Sequence, residues 1–217
     1  YRGYMHSLEY AKDRLQGRKP SEKNPEAPQV PIIEHADVRR MLLAQKAYSE
    51  GGLALCLYGA RLMDDQHTHP DEQKRMEAGK LLDLLTPVIK AWPSEFGPKA
   101  NDLAIQVYGG AGYTREYPVE QCWRDNRLNP IHEGTNGIQA LDLLGRKIWQ
   151  DQSHGLQLLM QEMQVDLEAA TTDRCQQWAL SLSETLQQAV KVTQSLGKSL
   201  MSEDPDRVLA NASCYLH

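Results

Sequence analysis

The chain has 217 residues, enough for one large domain or two small ones. Its 24 Lys+Arg against 29 Asp+Glu leave a formal charge of -5, without the basic surplus of a nonspecific nucleic-acid binder. No apolar run approaches a membrane span, and Cys56, Cys122, Cys175 and Cys214 form no CxxC pair, so neither a zinc site nor a disulfide framework is indicated and a reducing compartment is the default. The sequence opens at Tyr1 without an initiator Met and stops in ASCYLH, so it is expected to be a piece of a longer protein.

Residues 1–16 place Tyr4, Met5, Leu8, Ala11 and Leu15 on a helical stripe, with Gly17 as its stop. Residues 18–31 hold Pro20, Pro25, Pro28 and Pro31 among charges and read as an exposed connector. Over 34–65, Val38, Met41, Leu42, Gln45, Tyr48, Gly52, Leu55, Cys56, Gly59, Leu62 and Met63 recur at three- and four-residue steps, predicting one long helix. Its Gly51-Gly52 pair costs about 2 kcal/mol relative to alanine, which favours a site where another helix passes close. His67 and His69 lie in a polar turn before Pro70 and read as solvated loop residues rather than metal ligands. Helices are predicted over about 71–92, ended by Pro93, and about 95–108, stopped by Gly109-Gly110.

Residues 109–136 are rich in Gly, Pro and Asn, with room for a short helix at about 118–127. Arg124 and Asp125 read as a salt-bridged pair that positions this loop. Thr135 or Asn136 can N-cap the next helix, with Ile138, Leu141, Leu144, Ile148 and Trp149 on its buried side. Leu156, Leu159, Met160, Met163 and Leu167 form one tail stripe, and Trp178, Leu182, Leu186, Val190 and Leu196 another; a short segment follows Pro205. Met160, Met163, Met201 and the four cysteines read as packed core, and the acid-rich tail faces as solvated or as a surface for a partner subunit. No period-two pattern persists. The expected fold is all-α, an antiparallel helical bundle over 1–152 with an additional helical segment at 153–217, separated by a break near 150–155.

Chemistry concentrates in residues 106–139. Gly109, Gly110 and Gly112 follow a helix, where bare amides can approach a ligand or form a nest for a phosphate, although helix C-caps use glycine in the same way. Glu133 precedes Gly134 and a helix start. The helix dipole there favours a carboxylate and exclusion of water opposes it, a balance suited to a base near neutral pH; a simple capping acid fits the same spacing.

The run QVYGGAGYTREYPVEQCWRDNRLNPIHEGTNGIQ, residues 106–139, resembles the C-terminal helical domain of acyl-CoA dehydrogenases. That family's Q-x-x-G-G-x-G-[YF], E-[YF]-P-[VA]-E, R-D and Y-E-G-T-x-x-I-Q elements follow here in order without a gap. Tyr10-Ala11-Lys12-Asp13-Arg14 matches the family's Y-A-x-x-R element, and the resemblance covers about residues 1–149. EGTNGIQALDLLGRK, ending at Lys147, resembles a long-form subfamily of methylthiopropionyl-CoA dehydrogenase type, to which the tail also looks similar.

The resemblance implies an FAD-dependent conversion of an acyl-CoA thioester to a trans-2-enoyl-CoA, with Glu133 removing the α-proton while hydride leaves Cβ for the flavin. It implies that the backbone N–H of Glu133 and a ribityl hydroxyl polarise the thioester oxygen. Thr135, Asn136 and Gly137 match residues at the FAD; Arg14 matches an arginine reaching the FAD of a neighbouring subunit, and Gln106, Gly109, Gly110 and Gly112 the turn that receives that FAD's adenine half. A homo-oligomer, electron-transfer flavoprotein as acceptor and a bacterial cytoplasm, or else a mitochondrial matrix, follow from the same likeness. Three features depart from the family: His132 replaces the usual aromatic before the glutamate, the R-x-x-F-G element is reduced to Arg14-Leu15-Gln16-Gly17, and the connector 18–31 is longer. The family's other two domains have no counterpart here, so the isolated chain is expected to be inactive. A non-catalytic assembly module of the same family and an acyl-CoA oxidase are the competing readings; the charge of -5 counts against a DNA-associated relative.

Overall fold

The computed structural model describes residues 1–202 and 204–217. Its helices are α1 (Arg2–Asp13), α2 (Ala36–Thr68), α3 (Glu72–Tyr108), α4 (Val119–Asn126), α5 (Asn136–Gly145), α6 (His154–Glu168), α7 (Asp173–Ser202), α8 (Pro205–Leu209) and α9 (Ala212–Leu216), with 3-10 segments at Ile32–Glu34, Gly109–Tyr113 and Lys147–Ser153. The all-α class holds: no strand occurs among the described residues, where an isolated bridge joins Leu15 to Pro31. The chain divides into two compact units, Tyr1–Tyr58 with Ile89–Asn136 and Gly59–Val88 with Gly137–His217.

In the first unit, α1, α2 and the end of α3 bury Tyr4, Ala11, Met41, Leu42 and Val107 around Ile32. Ser7 and Gln45 are fully buried in the same region, where the Ser7 hydroxyl donates to Gln45 Oε1 at 2.7 Å. Tyr48 packs on Phe96 with ring centroids 5.0 Å apart, and Trp92 and Pro93 lie over Gly51-Gly52. Partner numbers fall along α3 as they rise along α2, which makes the pair antiparallel. A Cβ on Gly51 would stand 3.4 Å from Trp92, and one on Gly52 3.5 Å from Pro93, so a helix does pass close to the glycine pair.

The connector 18–31 is a loop pinned at its neck. Gln16 N–H donates to Val30 O (3.0 Å), Val30 N–H to Gly17 O (3.1 Å) and Ile32 N–H to Arg14 O (2.8 Å), while Gly17 turns with φ 67.

The second unit buries Leu62, Leu81, Leu84, Leu85, Leu143, Leu144 and Ile148, with Val208, Ala212 and Leu216 from α8 and α9. On its way into α6, the chain passes through three consecutive left-handed residues, Asp151, Gln152 and Ser153 (φ 47, 56 and 64). Lys80 pairs with Asp151 there at 2.8 Å and holds that carboxyl below the ordinary carboxylate range.

Several expectations need correction. Pro93 does not end a helix: α3 runs through Pro87, Pro93 and Pro98. Each proline removes one helical hydrogen bond, and packing around the helix offsets the loss. At Pro87, which is fully buried, the carbonyl left without its helical donor is that of Asp83, and Lys147 Nζ donates to it at 2.6 Å. On α5 the buried residues are Ala140, Leu143 and Leu144, while Ile138 and Leu141 are exposed. Trp178 and Leu182 of α7, Met201, Cys56, Cys175 and Cys214 are also exposed, and Cys122, Met160 and Met163 only half-buried. Periodicity identifies an apolar face, but only a packed neighbour buries it. Arg124 pairs with Glu120 one turn earlier at 3.7 Å, not with Asp125, because adjacent helical residues point apart. His69 accepts the Asp71 N–H on its ring at 3.1 Å.

Candidate active site

The segment between α4 and α5 is built from successive tight turns. Ile131 and His132 both donate backbone N–H to Leu128 O, at 2.9 and 3.2 Å, and Asn136 N–H donates to Pro130 O at 3.1 Å. Between these ties the backbone is left-handed at Glu133 (φ 51) and Gly134 (φ 82). Glycine adopts that geometry freely; a glutamate does so at a cost of about 1–2 kcal/mol and only where its surroundings enforce it. α5 then starts at Asn136, so Glu133 stands just ahead of a helix N-terminus, where the dipole favours negative charge.

Glu133 is exposed on this chain and lines a cavity of about 460 Å³ together with His132, Lys90, Ser94, Tyr48 and Gly52. His132 contacts Asn129 Oδ1 through Nε2 at 3.1 Å, so the ring that replaces the expected aromatic is held by its own turn. From α3, Lys90 Nζ donates to Gly134 O at 2.6 Å and to Asn136 Oδ1 at 3.3 Å, and Asn136 Nδ2 donates to Glu95 Oε2 at 3.3 Å. Burial pulls the Lys90 ammonium below its ordinary range, and the negative charge of Glu133 acts in the opposite direction. Lys90 and Glu95 escape the sequence reading because a break at Pro93 places them on different helices.

A second group of predicted residues gathers where α1 meets the glycine turn. Tyr10 stacks on Tyr108 with ring centroids 4.0 Å apart, and Tyr117 closes on Tyr108 at 5.2 Å. Tyr108 Oη donates to His6 O at 3.2 Å. This tyrosine cluster fixes the end of α1 beside Gly109–Tyr113. Arg14, one turn beyond Tyr10, is exposed, and its backbone is pinned at both ends, N–H to Tyr10 O and carbonyl to Ile32 N–H.

Gln106, Gly109 and Gly110 are exposed as well. Gly109 is left-handed (φ 60), and no atom lies within 4 Å of where a Cβ would stand on Gly109 or Gly110. An open, bare-backbone ledge of this kind can accept a phosphate-bearing ligand. Gly112 differs: it is buried, and a Cβ there would meet Ile105 O and Tyr108 Cβ at 2.7 Å, so what the structure shows for it is a packing requirement. Thr135 and Gly137 are exposed on either side of Asn136. The structure thus gathers the Glu133 turn on one side and the glycine ledge beside the Tyr10–Tyr108 stack on the other, with Arg14 exposed just past the end of α1.

The profile of the acyl-CoA dehydrogenase C-terminal domain matches residues 2–148. The chain is 43% identical over 150 residues to 3-methylmercaptopropionyl-CoA dehydrogenase of Ruegeria pomeroyi, covering 69% of this chain and 25% of that protein. It is 40% identical over 158 residues to a broad-specificity linear acyl-CoA dehydrogenase of Mycobacterium tuberculosis, covering 71% and 26% respectively. It therefore spans about a quarter of the length of these relatives.

Among solved structures, Caenorhabditis elegans ACDH-11 in complex with C11-CoA superposes with a TM-score of 0.79 at 19% identity, covering 98% of this chain and 34% of that one. An acyl-CoA dehydrogenase from Bacillus anthracis complexed with FAD gives 0.71 at 21%, covering 99% and 37%. At such identities the superpositions establish the fold. The ordered motifs, the domain profile and the sequence relatives together establish that this chain belongs to the acyl-CoA dehydrogenase family, as its C-terminal helical domain.

Proposed function

We propose that the chain is the base-bearing region of an FAD-dependent acyl-CoA dehydrogenase, with Glu133 taking the α-proton of an acyl-CoA thioester. The observation that carries this reading is the left-handed Glu133-Gly134 pair at the cavity rim, a strained backbone held by ties from two directions. The α-proton leaves as H⁺ to a Glu133 carboxylate oxygen, and the C–H electron pair becomes the new Cα–Cβ double bond. Bound flavin supplies the acceptor for the hydride that departs from Cβ. The Glu133 backbone N–H supports negative charge developing on the thioester oxygen.

Thr135, Asn136 and Gly137 would border the flavin of their own subunit. Arg14, Gln106, Gly109 and Gly110 would hold the pyrophosphate and adenine side of a neighbour's FAD, an arrangement that the open backbone at Gly109 and Gly110 supports and that would require a homo-oligomer. Electron-transfer flavoprotein would serve as the electron acceptor, in the cytoplasm of a bacterium. The profile's end at residue 148 supports treating 153–217 as an added helical segment.

The test is Glu133→Gln in the full-length flavoprotein. Flavin should stay bound, while bleaching by a panel of acyl-CoA thioesters is lost; normal turnover by this variant would disprove the assignment. The isolated chain, holding only part of the cofactor's surroundings, should show neither dehydrogenation nor micromolar FAD affinity.

A further inference from the structure

We propose that Lys90 is a positioning residue for Glu133: by holding Gly134 O and Asn136 Oδ1 from α3, it fixes the turn that presents the carboxylate. The inference rests on the assignment of Glu133 as the base. Lys90 is separated from its acceptors by 44 and 46 residues, so its bonds tie the middle of a long helix to the loop that carries Glu133.

The flanking ties, Asn136 N–H to Pro130 O and His132 N–H to Leu128 O, are short-range and leave the Glu133-Gly134 peptide between them. Gly134 can rotate with little penalty, so a hold on its carbonyl sets the direction in which the preceding glutamate points. Lys90 supplies that hold with one N–H. With a second it engages Asn136, whose amide is anchored in turn to Glu95 on the next turn of α3.

An ordinary surface lysine would lie in water or against a carboxylate. This one is half-buried and spends its donors on a backbone carbonyl and an amide. Lys90 also lines the same cavity as Glu133, whose negative charge acts on the ammonium.

The experiment uses the full-length flavoprotein carrying Lys90→Met, which keeps the stem and removes the donors. Turnover should fall about 10- to 100-fold with KM within about threefold, the scale expected when a reacting group is displaced by an ångström or less. Amide exchange should rise over 131–137 and stay unchanged in α1, and Lys90→Arg should recover part of the turnover. Wild-type turnover with wild-type exchange would overturn the proposal, as would a loss confined to KM, which would make Lys90 a ligand contact.

If Lys90→Met does not accumulate as folded flavoprotein, Asn136→Ala removes one acceptor and the link to Glu95; unchanged exchange over 131–137 there refutes the clamp. The exchange measurement is independent of which group is the base. Retained bleaching in Glu133→Gln would therefore disprove the base alone and leave the clamp to be decided by exchange.

Discussion

Lys147 offers a direct test of how this fold tolerates a proline inside its longest helix. Its side chain is only 6% exposed, and its Nζ donates to Asp83 O at 2.6 Å and Asp83 Oδ1 at 2.5 Å, with Asp142 at 3.9 Å. The Asp83 carbonyl is the acceptor that residue 87 would serve in an unbroken helix and that Pro87 cannot. Lys147→Met keeps the apolar stem and removes the charged donor.

A hydrogen bond to a charged group contributes about 1.5–3 kcal/mol. Asp83's carboxylate is half exposed and can be rehydrated, so the loss should be near the carbonyl term alone, about 2 kcal/mol. That corresponds to a fall in Tm of roughly 4–8 °C for a chain of this size. The sharper measurement is a cycle with Pro87→Ala, read by urea unfolding of the 217-residue chain followed by circular dichroism. The alanine restores a helical N–H for Asp83 O, so Lys147→Met should cost at least about 1 kcal/mol less in that background. An equal cost in both backgrounds would refute the claim that Lys147 substitutes for the missing helical donor.

Two further outcomes follow from the packing. Burial pushes the Tyr215 hydroxyl above its ordinary value of 10.0, although its 2.7 Å hydrogen bond with Thr193 acts the other way. The folded state therefore holds that proton more tightly, and the associated stability is complete below about pH 10 and lost as pH rises through the folded value. Unfolding midpoints measured above pH 10 should fall less steeply in Tyr215→Phe, with Tyr108, raised chiefly by burial, supplying part of the remaining slope; an unchanged slope would refute the assignment. At the glycine turn, Gly112→Ala should destabilise the chain by about 2 kcal/mol, because its Cβ meets backbone at 2.7 Å, while Gly110→Ala should alter stability by less than about 0.5 kcal/mol. In the full-length flavoprotein Gly110→Ala should nevertheless weaken FAD retention, and equal destabilisation of the chain by both substitutions would show that the ledge is packed.

Much of this is legible in one dimension. The helical periodicity of α1 and α2, the breaking effect of the Pro-rich connector and the short helix inside the glycine-rich stretch all follow from local steric and hydrophobic patterns. The motif run from Gln106 to Gln139 identifies the family, since its elements are adjacent in sequence and keep their spacing. The continuity of α3 through Pro93 is not legible, because a proline's local penalty is visible in sequence and the packing that offsets it is not. Ile138 and Leu141 read as buried for the complementary reason: an apolar stripe states what would gain from burial, not whether a neighbour arrives to cover it.

The sequence by itself determined that the chain is helical, which family it resembles, and that a glutamate stands before a glycine and a helix start. Only the tertiary structure decided that Glu133 has a left-handed backbone, that Gly112 packs while Gly109 and Gly110 stay open, and that Lys90 and Glu95 reach the turn from α3. The physical reason is the range of the forces involved: propensity and periodicity act within a few residues, whereas a side chain that restrains a turn 44 positions away is placed there by the folded helix that carries it.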